Sequence, residues 1–153
     1  MLRLIRTNSV NSDFFSLVKQ LDAELAGRDG EIDHAYYEQF NKIDSIRYVV
    51  VAYADNFAVA CGAIKLYEPG VMEVKRMYVT PDSRRQGIST SILKELENWA
   101  KELSCFKCIL ETGKRQPEAI RFYQKNGYTL IPNYGQYLGV ENSLCFEKVL
   151  MSH

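Results

Sequence analysis

A basic turn containing glycine precedes the most clearly amphipathic segment of the chain. Arg84 and Arg85 lie just before Gly87, and apolar residues recur with helical spacing from Ile88 to Leu103. We predict that Gln86–Thr90 forms the first turn of this helix, where the backbone amides have no acceptors within the helix. Those amides, the helix dipole and the two guanidinium groups together would bind a phosphate group. An ordinary strand-to-helix loop with solvated arginines is the alternative interpretation.

Length and composition limit the classes of protein to consider. The chain has 153 residues, enough for one domain spanning 1–153, and its 46% hydrophobic and 25% charged residues are typical of a globular protein. Its 19 basic and 19 acidic residues cancel, which argues against nucleic acid or a membrane surface as a partner. No apolar run approaches the roughly 20 residues that span a bilayer, and the first residues alternate like a strand, unlike a signal peptide. We therefore expect a cytoplasmic protein.

The cysteines and histidines do not favour a metal site. Cys105 and Cys108 form one C-x-x-C pair, a spacing found in redox motifs and in half of a zinc site, but no second pair accompanies it. Only His34 and His153 are present, and Cys108 lies in an apolar segment where cysteine packs as a small hydrophobic residue. We predict reduced thiols and no bound metal.

Hydrophobic periodicity predicts an α+β domain. The predicted strands are 2–7, 48–54, 57–67, 72–79, 107–111, 128–131 and 144–149. The first predicted helix is capped by Asn11 or Ser12 and ends at Gly27, and three others cover about 33–42, 86–103 and 117–125. This order predicts a twisted, mixed but mostly antiparallel sheet of about seven strands, flanked by about four helices.

Two segments resemble motifs of one enzyme family. The first is Glu73-Val-Lys-Arg-Met-Tyr-Val-Thr-Pro followed by Arg84-Arg-Gln-Gly-Ile-Ser, and the second is Pro117-Glu-Ala-Ile-Arg-Phe-Tyr-Gln-Lys-Asn-Gly-Tyr. In this order, about thirty residues apart, they resemble the GNAT superfamily of acyl-CoA-dependent N-acetyltransferases. The resemblance extends from about Gly62 to Phe146, and the predicted order of elements matches the fold of that family.

The resemblance implies acetyl-CoA as the acyl donor and no metal. In the family, backbone amides of the glycine turn bind the pyrophosphate of coenzyme A, and the preceding strand runs beside the pantetheine arm. Ser89 here replaces a Gly or Ala, and Gln116 replaces an asparagine that hydrogen-bonds the cofactor. A backbone amide near Tyr78 is the implied donor to the thioester oxygen. The implied cofactor-binding residues are Met77, Tyr78, Val79, Arg84, Arg85, Gln86, Gly87, Ile88, Ser89, Thr90 and Gln116.

The resemblance also implies catalytic residues. Attack on a thioester requires a neutral amine, so a base or a water relay must first remove a proton. Glu73 is the implied base, acting through water, and Glu111 is the reserve. Tyr123 is the implied acid that protonates the departing thiolate. The alternatives are an exposed charge at the start of a strand for Glu73 and an aromatic residue filling a helix face for Tyr123.

Strict alternation along the strand 72–79 predicts which side chains share a face. One face is expected to carry Glu73, Lys75, Met77 and Val79, and the other Val74, Arg76 and Tyr78.

Tyrosines outside the two motifs suggest an acceptor pocket. Tyr67, Tyr134 and Tyr137, together with Glu111, are its predicted lining, because a tyrosine offers an apolar wall that ends in a hydroxyl. Surface tyrosines without a function are the alternative.

The expected reaction is direct transfer of acetyl to the primary amine of a small molecule, because the chain is short and has no net charge. Acetylation of a protein N-terminus or lysine is the alternative enzyme, and an acyl-CoA-binding regulatory module without catalysis is the alternative from another class. Many members of the family dimerise, so a homodimer is also compatible with the resemblance.

Overall fold

The structure, a computed structural model, describes residues 1–29 and 46–150. Two short 3-10 turns, at Pro81–Ser83 and Gly135–Tyr137, lie between regular elements. The helix predicted at 33–42 lies outside the described residues. The regular elements, in chain order, are β1 (Leu2–Thr7), α1 (Ser12–Asp29), β2 (Tyr48–Ala54), β3 (Phe57–Glu68), β4 (Val71–Val79), α2 (Ile88–Glu102), β5 (Lys107–Gly113), α3 (Pro117–Lys125), β6 (Thr129–Ile131) and β7 (Ser143–Val149).

The strands form one seven-stranded sheet in the order β1-β2-β3-β4-β5-β7-β6. All neighbours are antiparallel except β4 and β5, which run parallel. A parallel pair needs a crossover, and α2 supplies it between these two strands. The predicted fold class, a mixed and mostly antiparallel sheet flanked by helices, is confirmed.

Helices cover both faces of the sheet. The apolar stripe of α2, including Ile92 and Leu96, packs on one face in a large core cluster. On the other face, α1 packs through Phe14 and Leu17 in a second cluster. This two-sided burial explains why Val49–Ala52 in β2 reads as an unbroken apolar run.

The ends of α1 and α3 test the predicted helix signals. Asn11 caps α1, since its side-chain Oδ1 accepts a hydrogen bond of 2.9 Å from the backbone amide of Phe14. The prediction that Gly27 ends α1 is wrong, because the helix continues to Asp29; a glycine inside a helix costs only about 1 kcal/mol relative to alanine. The predicted bounds of α3 are confirmed.

The predicted start of α2 is wrong by two residues. Gly87 has φ of 77° and ψ of 10°, in the left-handed region, so it cannot belong to the right-handed helix. The helix therefore begins at Ile88, and Gly87 is its N-terminal flanking residue.

A β-bulge interrupts β4. Its partner β3 pairs Ala63 with Lys75 but Cys61 with Tyr78, so two residues of β4 lie opposite one residue of β3. Arg76, inside the bulge, has φ of 59°. After the bulge, each side chain of β4 therefore lies on the face opposite to the one that strict alternation predicts.

The bulge overturns the predicted faces of β4. Met77 and Val79 belong with Val74 to the cluster under α2, whereas alternation places Glu73 and Lys75 on the opposite face. Strict alternation failed because it assumes that no residue is inserted into the strand.

The four cysteines are buried free thiols. Within the described ranges, no group of three or more His, Cys, Asp or Glu side chains is arranged to hold a metal ion. Among the helices of those ranges, none combines the length and apolar character needed to cross a membrane.

Candidate active site

The parallel strands β4 and β5 separate part-way along the sheet. Their pairing covers Val71–Glu73 against Lys107–Ile109, although both strands continue beyond it. A cleft of about 670 Å³ lies at this opening and is lined by α1, β4, the turn before α2, β5 and α3. Divergent strands leave backbone amides and carbonyls without ladder partners, so an extended ligand can pair with them.

The glycine turn lies at one end of this cleft. Gly87, Ile88, Ser89 and Thr90 line it, and no side chain caps the start of α2. A Cβ built on Gly87 meets no atom within 4 Å, so the space above this backbone is open to a ligand. Gln86, predicted to bind the cofactor, is exposed and does not line the cleft.

The two arginines of the turn have different surroundings. Arg84 donates from Nε to the carbonyl of Val79 at 2.9 Å and from Nη2 to the carboxylate oxygens of Glu24 in α1 at 2.8 and 3.0 Å. Arg84 therefore ties the turn to α1 and to the end of β4. Arg85 is exposed and lines the cleft, with φ of 66°.

Glu73 is buried at the other end of the cleft. Its Oε2 accepts a hydrogen bond of 2.6 Å from the hydroxyl of Tyr134, and its Oε1 lies 3.6 Å from Nζ of Lys75. The alternative of an exposed charge does not hold, because Glu73 is only 5% exposed. A carboxylate with these neighbours is held in one orientation within the cleft.

Tyr123 lines the cleft from α3, where its ring packs edge-to-face with Phe122 and Tyr128. Burial raises the pKa of its hydroxyl well above the usual value, and the negative charge of Glu111 raises it further. Glu111 lines the same cleft, and its Oε2 accepts a hydrogen bond of 2.7 Å from Ser143. Tyr123 therefore stays protonated at neutral pH and fills part of the helix face as well.

With this geometry in place, comparisons with known proteins identify the family. The family described as "Acetyltransferase (GNAT) family" matches residues 14–128. The chain belongs to the GNAT acetyltransferase family.

Individual relatives agree with the family. An IAA acetyltransferase of Azospirillum brasilense is 32% identical over 149 residues, covering 96% of this chain and 97% of the relative. A candidate acyl-CoA N-acyltransferase from Klebsiella pneumoniae superposes with a TM-score of 0.83 at 29% identity, covering 99% of each chain. The PaiA N-acetyltransferase of Thermoplasma acidophilum, solved with coenzyme A, shares the fold with a TM-score of 0.76 at 17% identity, over 97% of this chain and 99% of that one.

The acetyltransferase brings most of the predicted site residues to one cleft. The two predicted catalytic residues, Glu73 and Tyr123, both line it. The predicted cofactor residues that line it are Met77, Tyr78, Val79, Arg84, Arg85, Gly87, Ile88, Ser89, Thr90 and Gln116.

The predicted acceptor residues divide into two groups. Tyr137 and Glu111 line the cleft of the acetyltransferase. Tyr134 and Tyr67 lie behind them, since the ring of Tyr134 contacts that of Tyr137 at 5.6 Å and that of Tyr67 at 5.1 Å. Tyr134 thus contacts two residues of the cleft, Glu73 and Tyr137, and Tyr67 packs against Tyr134.

Lys75 and Arg76 are two buried cations of the cleft to which the motif comparison assigned no role. Both line the cleft with side chains 5% and 6% exposed. Two consecutive cations on a strand normally face opposite sides of the sheet, so strand alternation predicts that they lie apart. The only signal available was their position inside the first motif, directly after Glu73.

Proposed function

We propose that this acetyltransferase moves the acetyl group of acetyl-CoA directly to the primary amine of a small molecule. The observation that carries the proposal is one continuous cleft with an open amide turn at Gly87 and buried acid-base groups at Glu73 and Tyr123. The turn at Gly87 suits the phosphates of the donor, and Glu73 and Tyr123 suit proton transfer at the reacting atoms.

The turn fits the pyrophosphate of coenzyme A. Backbone amides from Ile88 onward begin a helix with no side-chain cap, so they keep donors for an anion and add the field of the helix dipole. The open space above Gly87 admits a phosphate close to the backbone, where any side chain would intrude. The hydroxyl of Ser89 adds a further donor at the cleft wall.

The free edge of β4 fits the pantetheine arm. Val74–Val79 continues after the pairing with β5 has ended, so its backbone groups can bond the two amides of an extended chain. When bound, acetyl-CoA supplies an activated thioester carbonyl. A backbone amide near Tyr78 would donate to that oxygen as negative charge develops on it.

The reaction requires two proton transfers, one from the amine and one to the thiolate, and we assign each to a side chain. As the nitrogen of the amine bonds to the acetyl carbon and the carbon–sulfur bond breaks, the nitrogen loses a proton and the sulfur gains one. Glu73 accepts the proton through water in our proposal, with Glu111 as the reserve base, and Tyr123 donates one to the thiolate. Because burial raises the pKa of Tyr123, its hydroxyl still carries a proton at neutral pH when the carbon–sulfur bond breaks, and that proton can be donated to the departing thiolate.

The acceptor end favours a small amine. The buried carboxylate of Glu73 attracts an ammonium group, and the ring of Tyr137, 1% exposed, supplies an apolar wall next to it. Buried side chains of this kind surround a compact ligand more readily than an extended protein tail.

Release of free thiol from acetyl-CoA, measured against a panel of primary amines and peptides, tests the proposal. We expect small amines to increase thiol release above the rate of hydrolysis, with acetylated amine formed in equal amount. If acetyl-CoA binds but neither amines nor peptides increase thiol release, a binding module is the correct description. If only peptides do, the acceptor is a protein.

A further inference from the structure

We propose that the acceptor carries a carboxylate besides its amine, and that Lys75 and Arg76 form the subsite for this carboxylate. The inference rests on the proposed acetyl transfer and specifies the chemical class of its acceptor. The substrates would then be amino acids or related amino carboxylates.

The first observation is an ammonium group with unused donors. The side chain of Lys75 is 5% exposed and lines the cleft. Its Nζ has one ion-pair contact, at 3.6 Å from Glu73, which is too long for a hydrogen bond. Among residues 1–29 and 46–150 it makes no hydrogen bond, so its three N–H groups remain available to a ligand.

The second observation is a buried guanidinium nitrogen without a partner. Arg76 is 6% exposed, and its Nη1 donates to Asp22 of α1 at 2.8 Å. Its Nε is fully buried and has no hydrogen-bond partner in the part of the chain that the structure describes. A buried donor left unpaired costs about 1–3 kcal/mol, so such atoms need an explanation.

The bulge of β4 places these two cations together. Ala63 pairs with Lys75 and Cys61 with Tyr78, so the inserted residue gives Lys75 and Arg76 the same side of the sheet. Regular pleating would separate them. Burial lowers the pKa of Lys75, the charge of Glu73 opposes this shift, and the charge of Arg76 lowers the pKa further, so the two cations lie close enough to repel each other.

A carboxylate satisfies both cations at once. Its two oxygens can accept from Nζ of Lys75 and, once the Arg76 side chain shifts to uncover its Nε, from that nitrogen; neutral ligands form weaker hydrogen bonds with such cations. Glu73, already oriented by Tyr134, then faces the ammonium end of the same molecule. Along β4, the carboxylate of Glu73 is thus followed by the two cations Lys75 and Arg76, so the strand offers opposite charges to the two ends of an amino carboxylate.

Matched acceptor pairs test the subsite. We would measure kcat/KM for glycine, β-alanine and γ-aminobutyrate, each against its primary amide at an equal concentration of neutral amine. The wild-type protein should prefer the carboxylate of at least one pair by roughly 10- to 100-fold, the value of a charge-assisted hydrogen bond or two. Lys75→Met, which keeps the chain length without the charge, should bring that ratio towards one.

Lys94→Met is the control variant, because Lys94 is exposed on α2 outside the cleft. It should keep the wild-type ratio. Equal kcat/KM for acids and amides in the wild-type protein, with robust acetylation of both, would overturn the subsite while leaving acetyl transfer intact. Failure of every amine would instead overturn the transfer reaction itself. A ratio that survives Lys75→Met would exclude Lys75 as the carboxylate ligand.

Discussion

Substitution of Gly87 separates the two reasons for a glycine at this position. The residue has φ of 77°, where any side chain with a Cβ is strained, and the space above it is open to a ligand. Gly87→Ala introduces both effects together. Gly139 isolates the first effect, because it has φ of 75°, also has no atom within 4 Å of a built Cβ, and does not line the cleft.

The expected magnitudes follow from these environments. Alanine in the left-handed region costs about 1–2 kcal/mol, and neither site offers a clash, so Gly87→Ala and Gly139→Ala should lose similar stability. Only the methyl group at Gly87 would displace a phosphate from backbone amides. Loss of one or two charge-assisted hydrogen bonds predicts roughly 10- to 100-fold weaker binding of acetyl-CoA for this variant.

Titration calorimetry with acetyl-CoA, together with thermal unfolding, measures both quantities. A second pair, Gly87→Asn and Gly139→Asn, adds a larger side chain with less backbone strain, because asparagine tolerates the left-handed region. Affinity should again fall at Gly87 alone. Equal affinities in the two alanine variants and the two asparagine variants would refute the assignment of this turn to the phosphates.

Three other substitutions test the acid, the hydrogen bond that orients the base, and the stability of the fold. Tyr123→Phe should lower kcat by about 10-fold or more with little change in acetyl-CoA affinity, and unchanged turnover would remove Tyr123 from the mechanism. Because burial raises the pKa of Tyr123, its ionisation should cause no loss of kcat in a pH–rate profile up to about pH 10, the ordinary value for tyrosine. A loss below that pH that disappears in Tyr123→Phe would contradict this. Tyr134→Phe removes the hydrogen bond to Glu73 and should lower kcat/KM for the amine by about 10-fold, with acetyl-CoA affinity as the control that stays constant. Tyr128→Phe leaves buried Glu97 without its 2.8 Å hydrogen bond from the hydroxyl and should lower the free energy of unfolding by about 1–3 kcal/mol, measured by denaturant titration; an unchanged midpoint would show that Lys148 alone satisfies Glu97.

Local signals in the sequence were sufficient for most of the fold. Pro117 at the first position of α3 and Gly127 just after its end predicted that helix with its correct bounds, because both residues act through their own backbone. The same local reasoning placed β2 at Tyr48–Ala54. It failed at Gly87, where the glycine was included in the helix that it precedes.

Local signals could not predict contacts between segments that lie far apart in the sequence. The carboxylate of Glu24 that engages Arg84 is sixty residues away, and Tyr134 is sixty-one residues from Glu73. No periodicity or motif encodes such pairs, since they depend on how α1 and the loop before β7 pack against the sheet. The motif therefore located Arg84 but could not show that its guanidinium is already engaged by α1.

The bulge in β4 is the feature of the candidate site that local sequence patterns predict least well. Arg76 adopts positive φ without being a glycine, so nothing in its residue type marks the position. Such a conformation is sparsely populated and persists only where surrounding contacts hold it, here through the ion pair with Asp22. Because the inserted residue turns Met77 and Val79 towards α2 and leaves Lys75 beside Arg76, one irregularity shapes both ends of the site. In our proposal, the same few residues therefore provide both the free strand edge that binds the donor and the pair of cations that binds the acceptor.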